Sequence, residues 1–232
     1  MHPLDNVIWN ALTTRQTEFA EGAGAARRFM REVTLLSAFE KPDDAGYAAL
    51  AEVVGIGGTS AVFLDNPYET RAGWDWVAGA GLLQMVCENG HAADVPISPN
   101  VEIVPLGRSD STEMIELTTL TQPGPFGKRT HELGTYIGIR HSGRLAAMAG
   151  ERLRVDGFTE VSAVCTHPDY LGRGYAGLLM SEVMRGIRAR GETPILHVRA
   201  DNARAIGLYQ RLGFSIRKRG HFAVLRWEGK KD

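Results

Sequence analysis

Val164-Cys165-Thr166-His167-Pro168-Asp169-Tyr170-Leu171-Gly172-Arg173-Gly174-Tyr175-Ala176-Gly177 is the stretch on which the reading of this chain turns. Before it, Glu160–Thr166 has the composition of a strand. After it, a helix is expected from about Gly174 to Arg190, with Leu179, Val183 and Ile187 four residues apart on one face. Pro168 ends the strand, because it has no N–H to give to a ladder. Backbone amides in such a glycine-rich turn converge on one spot, and the following helix adds positive potential there. A phosphate or pyrophosphate is the natural occupant. Glycines let a ligand come close to the main chain. A plain strand-to-helix turn is the alternative.

Gly172, Gly174 and Gly177 also satisfy G-x-G-x-x-G, with Asp201 about where a ribose-binding acid would stand. The context argues against a dinucleotide fold. Its first strand would run almost directly into the first glycine, whereas here His167 to Leu171 intervene. Too little chain follows Asp201 to complete such a sheet. Two strands with no helix between them precede the motif strand.

Two blocks, taken together, resemble the GNAT superfamily of N-acetyltransferases. Val164–Ala176 is similar to that family's pyrophosphate-binding pattern, Gln/Arg-x-x-Gly-x-Gly/Ala after a strand ending in x-Pro. Asn202-Ala203-Arg204-Ala205-Ile206-Gly207-Leu208-Tyr209-Gln210-Arg211-Leu212-Gly213-Phe214 is similar to its Asn-x-x-Ala-x-x-Leu-Tyr block followed by Leu-Gly-Phe. The pair in this order is far more specific than either block alone. Leu171 stands where the family usually has Gln or Arg; the main-chain amides remain the phosphate ligands, and Arg173 supplies charge.

The resemblance implies a fold and a set of roles. The fold is α/β, a GNAT-like mixed central sheet with flanking helices, preceded by a smaller α/β N-terminal domain. Acetyl-CoA is the implied acyl donor, with its pyrophosphate on the turn Gly172, Arg173, Gly174, Tyr175, Ala176 and Gly177. Its pantetheine arm would pair like an added strand with Val164, Cys165 and Thr166, beside Asn202 and Ala205. Glu160 matches a position used as general base, directly or through water, and Tyr209 the acid that protonates the leaving thiolate. An amide of Val164–Thr166 would stabilise the oxyanion. Transfer would be direct, in a ternary complex with a small amine or a peptide. A non-catalytic acyl-CoA sensor is the alternative.

The remaining elements extend outward from these blocks. Pro194–Arg199 reads as a strand, Asn202–Leu212 as a short helix with Gly213 at its C-terminal cap, and Phe222–Trp227 as a last strand. Upstream, Thr135–Arg140 and Ala146–Arg154 read as strands joined by a turn at His141–Gly143. Val101–Leu106 reads as a strand, and Ser109–Leu120 as a helix capped by Ser109 or Asp110. Gln122–Arg129 is loop. Ile97–Asn100 (ISPN) is the expected boundary, dividing residues 1–100 from an acetyltransferase domain at 101–232.

Before that boundary Asp44–Val54 has helical spacing, Val33–Phe39 and Ser60–Leu64 look like strands, and Trp74–Val86 fits either type. No motif is found there. A degenerate half-copy of the fold and a cap on the acceptor side both fit. Trp9, Tyr47, Trp74 and Trp76 are expected to be aromatic core, with lining of an acceptor pocket the alternative.

The 232 residues carry 26 basic and 27 acidic groups, a formal net charge of -1, and 44% hydrophobic residues. This is ordinary globular composition, with no global sign of a polyanion partner. The basic run Arg217–Arg219 reads as a solvated strand end, so no nucleic-acid partner is expected. The most apolar run, Trp76–Cys87, is too short to span a bilayer, so no membrane partner is expected either. Two cysteines without CxxC spacing fit a reducing cytoplasm, and both read as buried apolar residues. The seven histidines show no metal-binding spacing, and no metal is expected. Homodimerisation is left open.

Overall fold

The computed structural model describes residues 2–88 and 101–229. A short helix α1 (Val7–Asn10) widens into a π turn at Ala11–Arg15 and leads into a small three-stranded antiparallel sheet, β1 (Ala20–Glu21), β2 (Ala26–Phe29) and β3 (Ser37–Phe39). Helix α2 (Asp44–Val54) covers that sheet. It begins where Asp43 accepts a hydrogen bond from the Gly46 amide, and it buries Tyr47, Leu50 and Val54. Strands β4 (Thr59–Leu64) and β5 (Trp74–Val86) follow. After residue 100 come β6 (Ile103–Leu106), α3 (Ser111–Thr121), β7 (Tyr136–His141), β8 (Arg144–Val155), β9 (Phe158–Thr166), α4 (Tyr175–Ala189), β10 (Thr193–Arg199), α5 (Ala203–Arg211) and β11 (Ser215–Trp227).

Eight of these strands form one mixed sheet in the order β4-β11-β5-β10-β9-β8-β7-β6. The fold is therefore the expected mixed sheet flanked by helices, with a smaller sheet at the N-terminal end. The division at residue 100 does not separate two sheets. β5 comes from before it, yet lies between β10 and β11 and is hydrogen-bonded to both. β5 is thus a member of the main sheet although it precedes residue 100. Ile97–Asn100 itself lies outside the described residues. β11 also begins earlier than expected, because Ser215–Gly220 pairs with β5 despite its charges.

Helix α4 buries Leu179, Met180, Val183, Met184 and Ile187 against Ala147, Ala149, Leu196 and Val198 of the sheet. Each such side chain is worth about 1.5–3 kcal/mol when fully buried. A second core joins Leu4, Ile8 and Leu12 of the N-terminal segment to Leu36, Leu153 and Ile195. The N-terminal segment thus packs on the sheet itself. Tyr47 and Trp74 are buried as expected, whereas Trp76 is exposed.

Two irregularities shape the centre of the sheet. β9 and β10 run parallel and pair only over Phe158–Glu160 and Thr193–Ile195, after which they part. Within β9, the register against β8 slips by one residue between Ser162 and Cys165, and Ala163 there has φ +52°. That is a β-bulge, which bends a strand and re-aims its main chain. A non-glycine residue in this conformation costs about 1 kcal/mol or more.

Candidate active site

At the glycine turn the chain leaves β9, makes one 3-10 turn at Pro168–Tyr170 and enters α4 with Gly174 as N-cap. Gly172 and Gly174 have φ near +80°, and a methyl group added to either would meet nothing within 4 Å. Their lack of a side chain therefore answers the backbone conformation and leaves the amides open to an approaching ligand. The first turn of α4 has no acidic residue and no side-chain cap, so its amides are available for an anion. Arg173 lies over the Tyr170 ring, 5.2 Å from its centroid.

The turn opens into a cavity of about 860 Å³ that fills the gap between β9 and β10. Val164, Cys165, Thr166, Gly172, Arg173, Gly174, Tyr175, Ala176, Gly177, Asn202, Ala205 and Tyr209 all line it. So do Arg152, Arg199, Arg204 and Arg211, with no carboxylate among the described residues. Among the described residues Arg173, Arg204 and Arg211 make no ion pair, so the cavity has the electrostatics of a polyanion site. Asn202 caps α5, its Oδ1 accepting from the Ala205 amide at 3.1 Å, which leaves its Nδ2 to meet a ligand. Burial pushes the Tyr209 phenol up to about 12, so it stays protonated at neutral pH.

Glu160 is not on that lining. It lies fully buried at the point where β9 and β10 part. Arg152 grips it with two hydrogen bonds of 2.8 Å, the Leu153 amide donates to it at 3.3 Å, and His197 Nδ1 lies 2.7 Å from its Oε1. Burial alone would raise its pKa. The Arg152 charge and these hydrogen bonds outweigh burial and hold the carboxyl well below the usual carboxylate range. A carboxylate so fully engaged is a weak proton acceptor.

The residues around it carry no motif. His197 on β10 faces Gln84 on β5, its direct register partner. The Gln84 amide nitrogen donates to the Leu4 carbonyl at 2.9 Å and lies 3.1 Å from His197 Nε2. Arg217 on β11 donates to Gln84 Oε1 at 2.8 Å and to Asp5 at 2.7 Å. A polar row, Arg217-Gln84-His197-Glu160-Arg152, thus crosses five adjacent strands. Arg217 ends that row, half-buried and held by Gln84 and Asp5, which corrects its reading as a solvated strand end. The signal in the sequence was slight: a histidine inside the apolar run Pro194–Val198, and an arginine within the buried strand Ala146–Arg154.

Cys165 is buried and free, its thiol pushed up to about 11 by burial, so it is inert at neutral pH. Cys87 is buried and free as well. Among the described residues no cluster of three or more histidine, cysteine or acidic side chains could hold a metal ion. No helix among them is long and apolar enough to cross a membrane.

Residues 136–223 match the family model described as FR47-like protein. The N-alpha-acetyltransferase RimI of Mycobacterium tuberculosis is 35% identical over 125 residues, covering 49% of this chain and 78% of that protein. The mycothiol acetyltransferase of Corynebacterium aurimucosum is 45% identical over 60 residues; the match spans 25% of this chain and only 20% of that protein. A crystal structure of a putative GNAT-family acetyltransferase from Novosphingobium aromaticivorans matches over the whole of both chains, with TM-score 0.86 and 38% identity. A GCN5-related N-acetyltransferase from Kribbella flavida shares the fold over 97% of each chain, at TM-score 0.67 and 16% identity.

Proposed function

The chain belongs to the GNAT superfamily of N-acetyltransferases, and on that premise we propose that it transfers an acetyl group from acetyl-CoA directly to an amine held in the same complex. The observation that carries this reading is the coincidence of three features in one cavity. An open glycine turn lies at one end, the β9 edge that faces β10 has no partner along Val164–Thr166 among the described residues, and a protonated phenol reaches in from α5.

In this reading the amides from Gly172 to Gly177 hold the pyrophosphate, and Arg173, Arg204 and Arg211 neutralise phosphate charge. The free edge of β9 pairs with the pantetheine amides, and Asn202 Nδ2 donates to one of their carbonyls. When bound, acetyl-CoA supplies an activated acyl carbon on a thioester. A main-chain amide past the Ala163 bulge, within Val164–Thr166, donates to the carbonyl oxygen as it gains charge. The amine nitrogen bonds to the acyl carbon while the carbon–sulfur bond breaks. Tyr209 gives its phenolic proton to the departing sulfur, and the proton that the nitrogen sheds as the amide forms returns the phenolate to phenol.

The acceptor is a small amine or the α-amine of a peptide; the relative named N-alpha-acetyltransferase supports testing the latter class. Two free, buried cysteines suit a reducing compartment such as the cytoplasm. A thiol-release assay with acetyl-CoA and a panel of alkylamines, arylalkylamines, amino acids and an alanine-terminated peptide tests the proposal. Amine-dependent CoA release with an N-acetylated product supports it. No amine-dependent release from any of them counts against it.

A further inference from the structure

A second cavity, of about 490 Å³, lies beneath the N-terminal segment on the β4–β11–β5 side of the sheet. Leu4, Val7, Phe39 and Phe63 give it an apolar lining, and an exposed carboxylate, Glu40, also borders it. It shares Phe63, Leu82 and His197 with the larger cavity. The two spaces therefore meet at the His197 imidazole, whose side chain is otherwise almost fully buried.

The partners of that ring fix its protonation. The Leu4 carbonyl accepts from the Gln84 amide nitrogen, and Arg217 donates to the Gln84 oxygen, so the Gln84 amide has one orientation only. Its second N–H points at His197 Nε2, which must then be an acceptor. Nδ1 carries the hydrogen and donates it to Glu160. The resting state is a neutral imidazole with its lone pair at Nε2, backed by a carboxylate that would stabilise an imidazolium.

We infer that the acceptor is a primary amine with an apolar body, that it occupies this second cavity, and that His197 Nε2 takes the proton of its ammonium group. This rests on the acyl-transfer reading above. An ammonium N–H is a stronger donor than the Gln84 amide and displaces it from the lone pair. The proton moves from the amine nitrogen to Nε2, the nitrogen keeps its electron pair for attack, and the imidazolium keeps its Nδ1–H bond to Glu160, which it shares with Arg152. His197 is the catalytic residue; Glu160 and Gln84 are positioning residues. The other charged groups around the ring are Arg152, held by Glu160, and Arg217, held by Asp5. In the second cavity are Glu40, Asp65 paired with Lys218, and His221.

The test compares wild type with His197→Asn and Gln84→Leu in the full chain. The fastest alkylamine or arylalkylamine of the panel and aniline, which is already neutral at pH 7, serve as acceptors, and acetyl-CoA binding is followed by calorimetry. The expected result for His197→Asn is a loss of about 100-fold or more in kcat/KM for the alkylamine. The loss is much smaller for aniline, acetyl-CoA affinity is unchanged, and the acidic limb of the pH profile disappears. Gln84→Leu shifts that limb without abolishing turnover. In nitrogen NMR, His197 shows the neutral Nδ1–H tautomer in wild type. Retention of wild-type kcat/KM and pH profile by His197→Asn, or an Nε2–H tautomer, overturns the inference and leaves the acyl-transfer reading standing. Failure of wild type to bind acetyl-CoA or to release CoA overturns both.

Discussion

Glu160 on β9 and His197 on β10 meet at 2.7 Å just where their two strands stop pairing and part. The parting creates the cavity, and the polar pair sits at its closed end. Arg152 completes the arrangement from β8, so that opening the sheet leaves a charged, hydrogen-bonded row rather than stranded polar groups.

Glu160→Gln is expected to destabilise the fold by about 3–5 kcal/mol at neutral pH, because it leaves the Arg152 charge buried without a counterion. The folded-state pKa of Glu160 lies below its unfolded value of about 4.3. Its stabilisation is therefore complete at neutral pH and is withdrawn as pH falls below that value. Urea unfolding of the two proteins at pH 7 and at progressively lower pH checks this: the gap between them should narrow in acid. A constant gap would mean that the ion pair is not its source.

Tyr209→Phe removes the phenolic proton while keeping the ring that packs beside Phe214. The expected outcome is a fall in kcat of about tenfold or more with little change in acetyl-CoA affinity. Steady-state kinetics with calorimetry separates the two. An equal loss in binding and turnover would make the ring, rather than the proton, the functional part.

A fragment comprising residues 101–232 lacks β5, and with it every hydrogen bond joining β10 to β11 through that strand. It is expected to be insoluble or molten, with poor amide dispersion in a proton–nitrogen spectrum. A soluble and active fragment would show that the N-terminal strands are dispensable to the sheet.

Both cysteines should resist alkylation in the native protein and react on unfolding, since each is buried and the Cys165 thiol is held near 11. Mass spectrometry after iodoacetamide treatment, with and without denaturant, provides the check. Rapid native labelling of Cys165 would reopen its role.

The glycine turn and the helix after it were legible because their signals are local: two positive-φ glycines, a proline before them, and apolar residues four apart in α4. The Asn202–Phe214 block was legible for the same reason. The place of β5 was not, because its partners in β10 and β11 lie more than 100 residues away in sequence and pairing leaves no mark on local pattern. The early part of β11 was hidden by its charges, which face Gln84, Asp5 and Asp65. Glu160 was legible as a residue of interest but not as an ion pair, since Arg152 and His197 reach it only once three strands are side by side. His197 had no motif to announce it.

The most direct test of the central claim is to titrate acetyl-CoA, free CoA and NAD into the purified protein and follow heat and melting temperature, for wild type and Gly174→Trp. Gly174 has φ +78° and open space in front of it, so a bulky side chain there fills the proposed pyrophosphate cradle. Ligand at about 100 times its Kd adds roughly 2.7 kcal/mol to stability. The expected result is stabilisation of wild type by both CoA species and not by NAD, lost in Gly174→Trp. Stabilisation by NAD with no response to CoA would contradict acyl transfer and return the glycine turn to a dinucleotide.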